Sequence, residues 1–272
     1  MNFTEDITVR IPGLPREYTF YHISDAHVAY ARPEDSDEAK AFAAKQTERW
    51  NQAQIAPIDA FTQFVDAVAK EDVPPDAVLM AGDCIDYTSA GNAAFMCELL
   101  PKQKTQYIYA WGNHEGGSYT ERIPDGRAYY PLLSPVMGGT PDFHVHDFGE
   151  FLVVAVDDAD KNITDAQTEQ MKAVIKDGRP ILLLLHIPLR TPANEEKIMR
   201  VWGTSFMLGT DDDNASARAF TALVKSPDSH VAAIFAGHIH FSHAGEFAPG
   251  RMQYVSAPLF DRFVRRVRVM GT

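Results

Sequence analysis

Short apolar or β-branched runs recur along the chain, and five of them end in a cluster of polar residues. The five runs cover residues 18–23, 77–81, 106–110, 181–185 and 231–236. Runs of this length, bounded by turn-forming residues, are typical of buried β-strands. Asp, Asn or His side chains follow each run within a few residues, so the pattern places candidate chemistry at strand ends.

Segments with helical spacing or composition lie between these runs. They cover approximately residues 36–55, 57–71, 164–176 and 214–225, and Thr164 is a suitable N-cap for the third segment. Strands that alternate with helices predict an α/β fold, and the lack of a dividing linker predicts a single domain over residues 1–272.

Further elements are predicted outside this alternation. The runs 143–148 and 151–156 predict a β-hairpin, and the runs 252–256 and 262–270 resemble strands. The stretches 28–56 and 199–214 carry no metal motif, and we expect them to form loops or a partial cap over the site.

Composition and charge narrow the class of protein. Of the 272 residues, 45% are hydrophobic and 23% are charged, which is the balance of a folded globular protein. The formal net charge of −12 would repel a polyanion and argues against nucleic-acid binding. Bound cations in a metal site would neutralise part of that charge.

The cysteines and the first residues bear on location. Cys84 and Cys97 are too few for a disulfide framework and lack the spacing of a zinc ribbon, so both are predicted to be buried thiols. The N-terminus lacks the features of a signal peptide, and no apolar run reaches membrane-spanning length. A cytoplasmic protein without membrane association is therefore expected.

The polar residues at the strand ends meet the needs of phosphate-ester hydrolysis. Two close cations lower the pKa of a bound water, hold the phosphoryl oxygens and absorb charge on the leaving group. Oxygen and imidazole ligands suit such ions. Seven candidate ligands stand at five strand ends: Asp25, His27, Asp83, Asn113, His186, His238 and His240. In an extended segment, residues two apart point to the same side, so each Asp/His or His/His pair can address one region.

Each motif also has a structural explanation when taken alone. Gly82-Asp83 and Gly112-Asn113 are common turn dipeptides, and Asp25-Ala26-His27 can form a solvated turn. A lone histidine such as His186 is usually a hydrogen-bonded structural residue. The alternating pair after Gly237 has few structural uses and favours metal binding by itself.

Together, the motifs resemble those of the calcineurin-like metallophosphoesterases. They occur in that family's order as Asp-x-His, Gly-Asp-x-x-Asp, Gly-Asn-His-Glu, a lone His after an apolar strand, and Gly-His-x-His. The resemblance implies a four-layer α/β/β/α sandwich in which two mixed β-sheets are flanked by helices. It also implies hydrolysis of a phosphate mono- or diester by a hydroxide between two metal ions, with Mn, Fe and Zn as the candidate metals.

The same resemblance implies a role for each motif residue. One ion is held by Asp25, His27 and His240, the other by Asn113, His186 and His238, and Asp83 bridges the two. His114 is not a ligand but faces the substrate, where it stabilises the phosphoryl group or protonates the departing oxygen. Asp86 orients His114.

The motifs depart from those of protein serine/threonine phosphatases. Asp86-Tyr87-Thr88 and Trp111-Gly112 stand where those enzymes carry arginines that grip the phosphate, although Glu115 is shared. We therefore expect a small-molecule phosphate ester as the substrate. Leu185-His186 replaces the double histidine often found in cyclic nucleotide phosphodiesterases, so that activity is not assigned.

Two other classes of protein are alternatives. A non-catalytic metal-binding interaction module can share the fold, but the filled ligand positions and the presence of His114 argue against it. A metallo-β-lactamase-type hydrolase requires a His-x-His-x-Asp-His run, which the sequence lacks.

The remaining polar residues receive structural explanations. His22, His144, His146, His230 and His243 match no motif and are predicted to be structural or surface groups. His243 could reach a substrate, but a solvated loop is the expected location. The run 211–213 is interpreted as a solvated helix start. The four arginines at 262, 265, 266 and 268 are interpreted as part of a solvated edge strand.

Overall fold

The computed structural model describes residues 3–51, 55–118, 126–137 and 141–272. Within them the strands are β1 (Glu5–Arg10), β2 (Tyr18–Ile23), β3 (Ala77–Ala81), β4 (Gln106–Ala110), β5 (Phe143–Asp147), β6 (Leu152–Val156), β7 (Ile181–Leu184), β8 (Val231–Ala236), β9 (His243–Ala248), β10 (Arg251–Val255) and β11 (Arg265–Met270). The helices are α1 (Asp37–Trp50), α2 (Pro57–Ala69), α3 (Ala90–Leu99), α4 (Tyr130–Met137), α5 (Asp165–Ile175), α6 (Pro192–Trp202) and α7 (Ala215–Lys225). None of these helices has the length and apolar character needed to span a membrane.

The strands form two mixed sheets. The first sheet has the order β1-β11-β2-β3-β4, and the second has the order β5-β6-β7-β8-β10-β9. Strands β2, β3 and β4 run parallel to one another, as do β6, β7, β8 and β10. The carboxyl ends of parallel strands emerge at one edge of a sheet, where ligand sites of α/β folds are commonly found.

The sheets pack face to face, and helices cover both outer faces. Alternation along each strand divides the side chains between two layers. On β3, Leu79 packs in the core between the sheets, whereas Val78 packs on the other face with Phe61 of α2. On β7, Leu182 faces the first sheet and Leu183 packs against the helices. The α/β/β/α sandwich implied by the motifs is confirmed.

Most predicted elements are present with shifted ends. The segments predicted at 57–71, 164–176 and 214–225 are α2, α5 and α7, and the Thr164 side chain caps α5 in a capping box. The predicted helix 36–55 ends at Trp50, and residues 52–54 of that range lie outside the described part of the chain. The predicted hairpin is the antiparallel pair β5 and β6.

The sequence did not reveal five elements. One of them, α6, begins with a Thr191 cap and Pro192, which is a start signal that the prediction missed. The other four have weak local signals. β1 and β9 mix polar and apolar residues, and the apolar residues of α3 show no helical periodicity. α4 contains Pro135, which normally argues against a helix interior. Tertiary packing, rather than local preference, determines these four elements.

The C-terminal strand is internal, so the predicted solvated edge strand was wrong. β11 pairs in parallel with β1 and antiparallel with β2. Arg266 and Arg268 on this strand remain near the surface and pair with Asp6, whereas Arg265 has no exposed surface. The error arose because β1, which covers this edge, was not recognised in the sequence.

The buried guanidinium of Arg265 forms an ion pair and hydrogen bonds with residues of neighbouring strands. It pairs with Glu5 at 2.7 Å and donates to His22 Nδ1 at 2.9 Å. It also donates to the carbonyl of Val255 at 2.9 Å. Burial, and next the Arg265 charge, hold the pKa of His22 well below its usual range, so His22 is the neutral acceptor in this contact.

Two further predictions about polar residues need correction. His243 begins β9 opposite Val255 and is half-buried, so it is not in a solvated loop. Asp213 is buried and accepts hydrogen bonds from Gly209 and Thr210, although Asp211 and Asp212 are exposed as predicted. Of the two thiols, Cys84 is buried and Cys97 is only half-buried.

His144 and His146 join the edges of the two sheets, which agrees with their predicted structural role. His144 Nε2 donates to the carbonyl of Tyr109 on β4 at 3.0 Å. His144 Nδ1 must then accept, and His146 Nε2 donates to it at 3.2 Å. Burial, and next the His144 charge, lower the pKa of His146 to about 4.

Replacing Arg265 should destabilise the fold far more than replacing its neighbour. Arg265→Met leaves the carboxylate of Glu5 and the carbonyl of Val255 without their donor, which should cost about 3 kcal/mol of unfolding free energy. Arg266→Met removes an exposed pair and should cost at most about 1 kcal/mol. Urea unfolding of both variants measures the difference; equal losses would contradict the internal placement of β11.

Protonation of His146 should lower the unfolding free energy as the pH falls. Its folded pKa, about 4, lies below the unfolded value of about 6.5, so the unfolded chain binds the proton more tightly. The stability contribution is therefore complete above about pH 7 and is lost as the pH falls toward about 4. His146→Gln should flatten the dependence of the unfolding free energy on pH in this window. Val145→Gln, at an exposed position on the same strand, does not alter a titratable group and should retain the wild-type slope.

Candidate metal centre

The structure brings all seven predicted ligands together at the carboxyl edges of the two sheets. They follow the ends of β2, β3, β4, β7 and β8 in the order that the sequence indicated. One set of potential ligand atoms comes from Asp25, His27 and His240, and a second comes from Asp83, His186 and His238. A third set, from His27, Asp83 and His114, overlaps both. Within each set, the atoms all lie within 4.8 Å of one another.

The first cluster is formed by one carboxylate and two imidazoles. His27 Nε2 and His240 Nε2 are 3.1 Å apart, and His240 Nε2 lies 3.4 Å from Asp25 Oδ1. The same His27 nitrogen is 4.0 Å from both Asp25 Oδ1 and Asp83 Oδ2. Asp83 therefore adjoins this cluster as well as its own.

The second cluster centres on His186. Its Nε2 lies 3.2 Å from Asp83 Oδ2, 3.1 Å from His238 Nδ1 and 3.0 Å from Asn113 Oδ1. Four potential ligand atoms thus meet around one point. Asp83 Oδ2 is the atom that the two clusters have in common.

Hydrogen bonds made by Nδ1 of two imidazoles determine that Nε2 of each ring faces its cluster. His186 Nδ1 lies 2.7 Å from the carbonyl of Ala81, and His27 Nδ1 lies 2.9 Å from Asp86 Oδ1. Both partners can only accept, so each Nδ1 carries a proton, and Nε2 is the nitrogen that remains available to a metal ion. Ligating histidines are typically oriented in this way.

The ligands are presented by left-handed turns rather than by the extended segments that the sequence pattern suggested. Five of them have positive φ: Asp25 (52°), His27 (48°), Asp83 (52°), His238 (72°) and His240 (53°). This conformation costs a non-glycine residue roughly 1–2 kcal/mol. Backbone strain of this kind is characteristic of functional sites, where the surrounding structure maintains it.

Two glycines allow the turns to approach one another. Gly82 has a φ of 80°, and a Cβ there would lie 2.7 Å from the imidazole Cγ of His186. A Cβ at Gly237 would overlap the Ser24 side chain and come within 2.7 Å of Asp25 Oδ2. Any side chain at these positions would push the two clusters apart.

The buried carboxylates of the centre would be stabilised by bound cations. The carboxylates of Asp25 and Asp83 are at most 2% exposed, and their ion pairs within the described residues all involve histidine. Burial raises the pKa of Asp83, but the charges of His186 and next His114 outweigh it and hold that pKa well below its usual range. Oxygen and imidazole donors around buried, ionised carboxylates fit Mn, Fe or Zn ions.

The predicted catalytic pair lies beside the first cluster. His114 Nδ1 is 2.8 Å from the carbonyl of Asp86 and 3.0 Å from Asp86 Oδ1, so Nε2 is the atom left to meet a substrate. The His114 side chain is 25% exposed, in contrast to the buried carboxylate that holds it. Asp86 also bonds His27, a contact that the sequence did not indicate.

Glu115 holds the two glycine turns in place. Its carboxylate accepts from the backbone N–H groups of Asp83 (3.0 Å), Cys84 (2.8 Å) and Gly112 (3.0 Å). The turn that carries Asp83 and the turn that carries Asn113 are thereby tied together. The sequence contained Glu115 within its motif but gave no indication of this role.

Asp158 supports the turn that carries His186. Its Oδ1 accepts from the backbone N–H of His186 at 2.8 Å and of Ile187 at 3.2 Å. This residue follows the apolar strand β6, so it repeats the strand-end pattern a sixth time, and that signal could have identified it in the sequence.

The two stretches without a metal motif both contribute to the surroundings of the centre. The stretch 28–56 contains α1, whose Trp50 ring stacks on His27 with centroids 4.2 Å apart. The stretch 199–214 begins in α6. Trp202 there lies edge-on to His240 at 5.9 Å, and Phe206 lies edge-on to His238 at 4.8 Å.

Comparisons with solved structures found several chains that are similar to this one. A purple acid phosphatase from yellow lupin (Lupinus luteus) has 15% identity and a TM-score of 0.51, and the match covers 91% of this chain and 45% of that chain. A dimetal phosphatase from Danio rerio has 13% identity and a TM-score of 0.48, covering 90% and 88% of the two chains. A phosphopantetheinyl hydrolase from Mycobacterium tuberculosis has 14% identity and a TM-score of 0.48, covering 91% and 92%. The lupin match shows a shared fold.

Sequence comparisons identify the family. No curated protein matches the chain significantly. A family model described as calcineurin-like phosphoesterase matches residues 18–242, a span that contains every predicted ligand. The chain therefore belongs to the calcineurin-like phosphoesterase family.

Proposed function

We propose that the chain is a dinuclear metal-dependent phosphoesterase that hydrolyses a small-molecule phosphate mono- or diester. One observation carries the proposal: seven potential ligands converge on two clusters that share the carboxylate of Asp83. Separate structural roles for the motifs do not account for this convergence. The convergence buries ionised groups and strains five backbone positions, and both cost free energy.

The two clusters support the ligand sets that the family resemblance implies. Asp25, His27 and His240 would hold one ion, and Asn113, His186 and His238 would hold the other. Asp83 would contact both. When bound, the ions would stabilise charge on the phosphoryl oxygens and activate the attacking water.

The chain's own residues would supply the proton for the leaving group. His114 is held through Nδ1 by Asp86, so its Nε2–H can donate to the departing oxygen of an ester on the metal centre. Burial lowers the pKa of His114, but the charges of Asp83 and Asp86 outweigh it and raise that pKa to about 9. The Asp86 carboxylate, which is outside both proposed ligand sets, favours the protonated imidazole that a proton donor requires.

The absence of arginine at two positions supports a small-molecule substrate. Related protein phosphatases carry arginine at both. Tyr87 and Trp111 occupy them, with exposures of 3% and 0%. The Trp111 ring packs edge-on against Tyr130 at 4.8 Å, away from solvent. Neither position contributes a cation that would grip a phosphoprotein.

Activity should depend on Asp83 and not on a surface aspartate. Asp83→Asn keeps the shape of the side chain but removes the shared negative charge, so kcat should fall by at least about 100-fold. Asp6→Asn alters an exposed pair with Arg266 and should leave kcat unchanged. The measurement is turnover of an aryl phosphate and a bis-aryl phosphate by protein loaded with Mn²⁺.

The same assay separates the enzyme from a non-catalytic metal-binding module. Wild-type protein with two bound ions per chain and no turnover on monoester and diester panels would contradict the proposed activity. It would favour a binding role for the same centre.

Removal and return of metal should reveal two sites. Chelated protein titrated with Mn²⁺ should bind about two ions per chain and gain thermal stability, because ions that bind only the folded state stabilise it. His240→Ala and His186→Ala should each bind about one ion, since each removes a ligand of a different cluster. Calorimetry or elemental analysis measures the stoichiometry; the loss of both ions in both variants would contradict separate ligand sets.

A further inference from the structure

The carboxylate of Asp86 receives four side-chain donors. Its Oδ1 lies 2.9 Å from His27 Nδ1, 3.0 Å from His114 Nδ1 and 2.7 Å from Trp50 Nε1. The amide of Gln46 donates to Oδ2. The Asp86 side chain has no exposed surface, so these bonds replace all solvation by bulk water.

Two of these donors come from one helix. Gln46 and Trp50 are four residues apart on α1, which places them on the same face, and both are buried. An ionised carboxylate offers about four lone-pair sites on its two oxygens; here three donors share Oδ1, and the Gln46 amide bonds Oδ2. Because donors occupy both oxygens, the plane of the carboxylate cannot rotate without breaking a buried hydrogen bond.

The position of Asp86 determines the position of two imidazoles with different tasks. His27 reaches the first ligand cluster through Nε2, and His114 presents its Nε2 to the substrate. Both imidazoles are bonded to the same oxygen of Asp86. A rotation of the carboxylate would therefore disturb a metal ligand and the proton donor at once.

Trp50 also restrains His27 directly. Its indole stacks on the imidazole with a centroid distance of 4.2 Å and an interplanar angle of 24°. The indole also contacts the rings of His240 and Phe260, each at a centroid distance of 5.3 Å. The indole is 8% exposed and forms part of the wall behind the first cluster.

We propose that Gln46 and Trp50 are positioning residues of the metal centre, which hold Asp86 so that His27 and His114 keep their orientations together. Helix α1 is then a part of the active site and not only a cap over it. The effect on His114 rests on the proposed function, whereas the effect on His27 concerns metal binding alone.

Metal titration of Trp50→Phe and Gln46→Leu tests the proposal. Each substitution removes one donor to Asp86 and retains most of the side-chain volume. Affinity for one of the two Mn²⁺ ions, the one that His240→Ala also loses, should fall roughly 10-fold while the other affinity is unchanged. In turnover assays, kcat should fall roughly 10-fold with KM constant.

A second set of variants separates positioning from general packing. If Trp50 acts through Asp86, Trp50→Phe should have little further effect on kcat or on metal affinity in an Asp86→Ala background, which lacks the acceptor. Glu48→Leu, at an exposed position between the two residues on α1, should behave as wild type. Gln46→Leu leaves the stacked indole in place, so it decides the question if Trp50→Phe does not fold.

Three outcomes are informative. Wild-type metal affinities and kcat in Gln46→Leu and Trp50→Phe would overturn the proposal, as would a Trp50→Phe effect of full size in the Asp86→Ala background. Two-ion binding without turnover in the wild type would instead overturn the proposed function, and the metal titrations would still test the role of α1.

Discussion

The structure depends on one electrostatic constraint, the burial of ionised carboxylates among histidines at the point where two sheets meet. Asp25 and Asp83 are almost inaccessible to water, and no lysine or arginine within the described residues pairs with them. Buried carboxylates are costly unless they are paired, and among the residues described only histidines pair with these two. A pair of metal ions would satisfy that need and would also supply the chemistry proposed for the centre.

The remainder of the fold serves to maintain this arrangement. Parallel strands carry the ligand turns to one edge, and the turns adopt left-handed conformations that an isolated chain would avoid. Glu115 and Asp158 tie the backbone of these turns together. Asp86 is bonded by Gln46 and Trp50 of α1 and itself bonds both His27 and His114, so the same restraint reaches these two imidazoles. The strain is tolerable because rigid sheets and buried hydrogen bonds surround it.

Much of the site could be predicted from the sequence, because strand ends carry their chemistry in compact motifs. The apolar runs revealed β2, β3, β4, β7 and β8, and the residues after them are the ones that converge. The conformation of the turns could not be predicted in this way. Asp25 and His27 converge through positive φ, whereas the period-two rule assumes an extended backbone.

Other features depend on contacts between residues far apart in the sequence. Arg265 is internal because β1, some 260 residues earlier, covers its strand, and β1 alone has no strong strand pattern. Trp50 carries no motif, and only the folded position of α1 brings it to Asp86. Such residues lack a local signal because their role is defined by a partner that the local sequence does not contain.

The central claim is that Asp83 lies between two bound ions. Anomalous diffraction from crystals of the protein grown with Mn²⁺ tests it most directly. The account predicts two peaks about 3.5–4 Å apart, with one carboxylate oxygen of Asp83 in contact with both. A single peak, or a pair of ions that Asp83 does not touch, would contradict it.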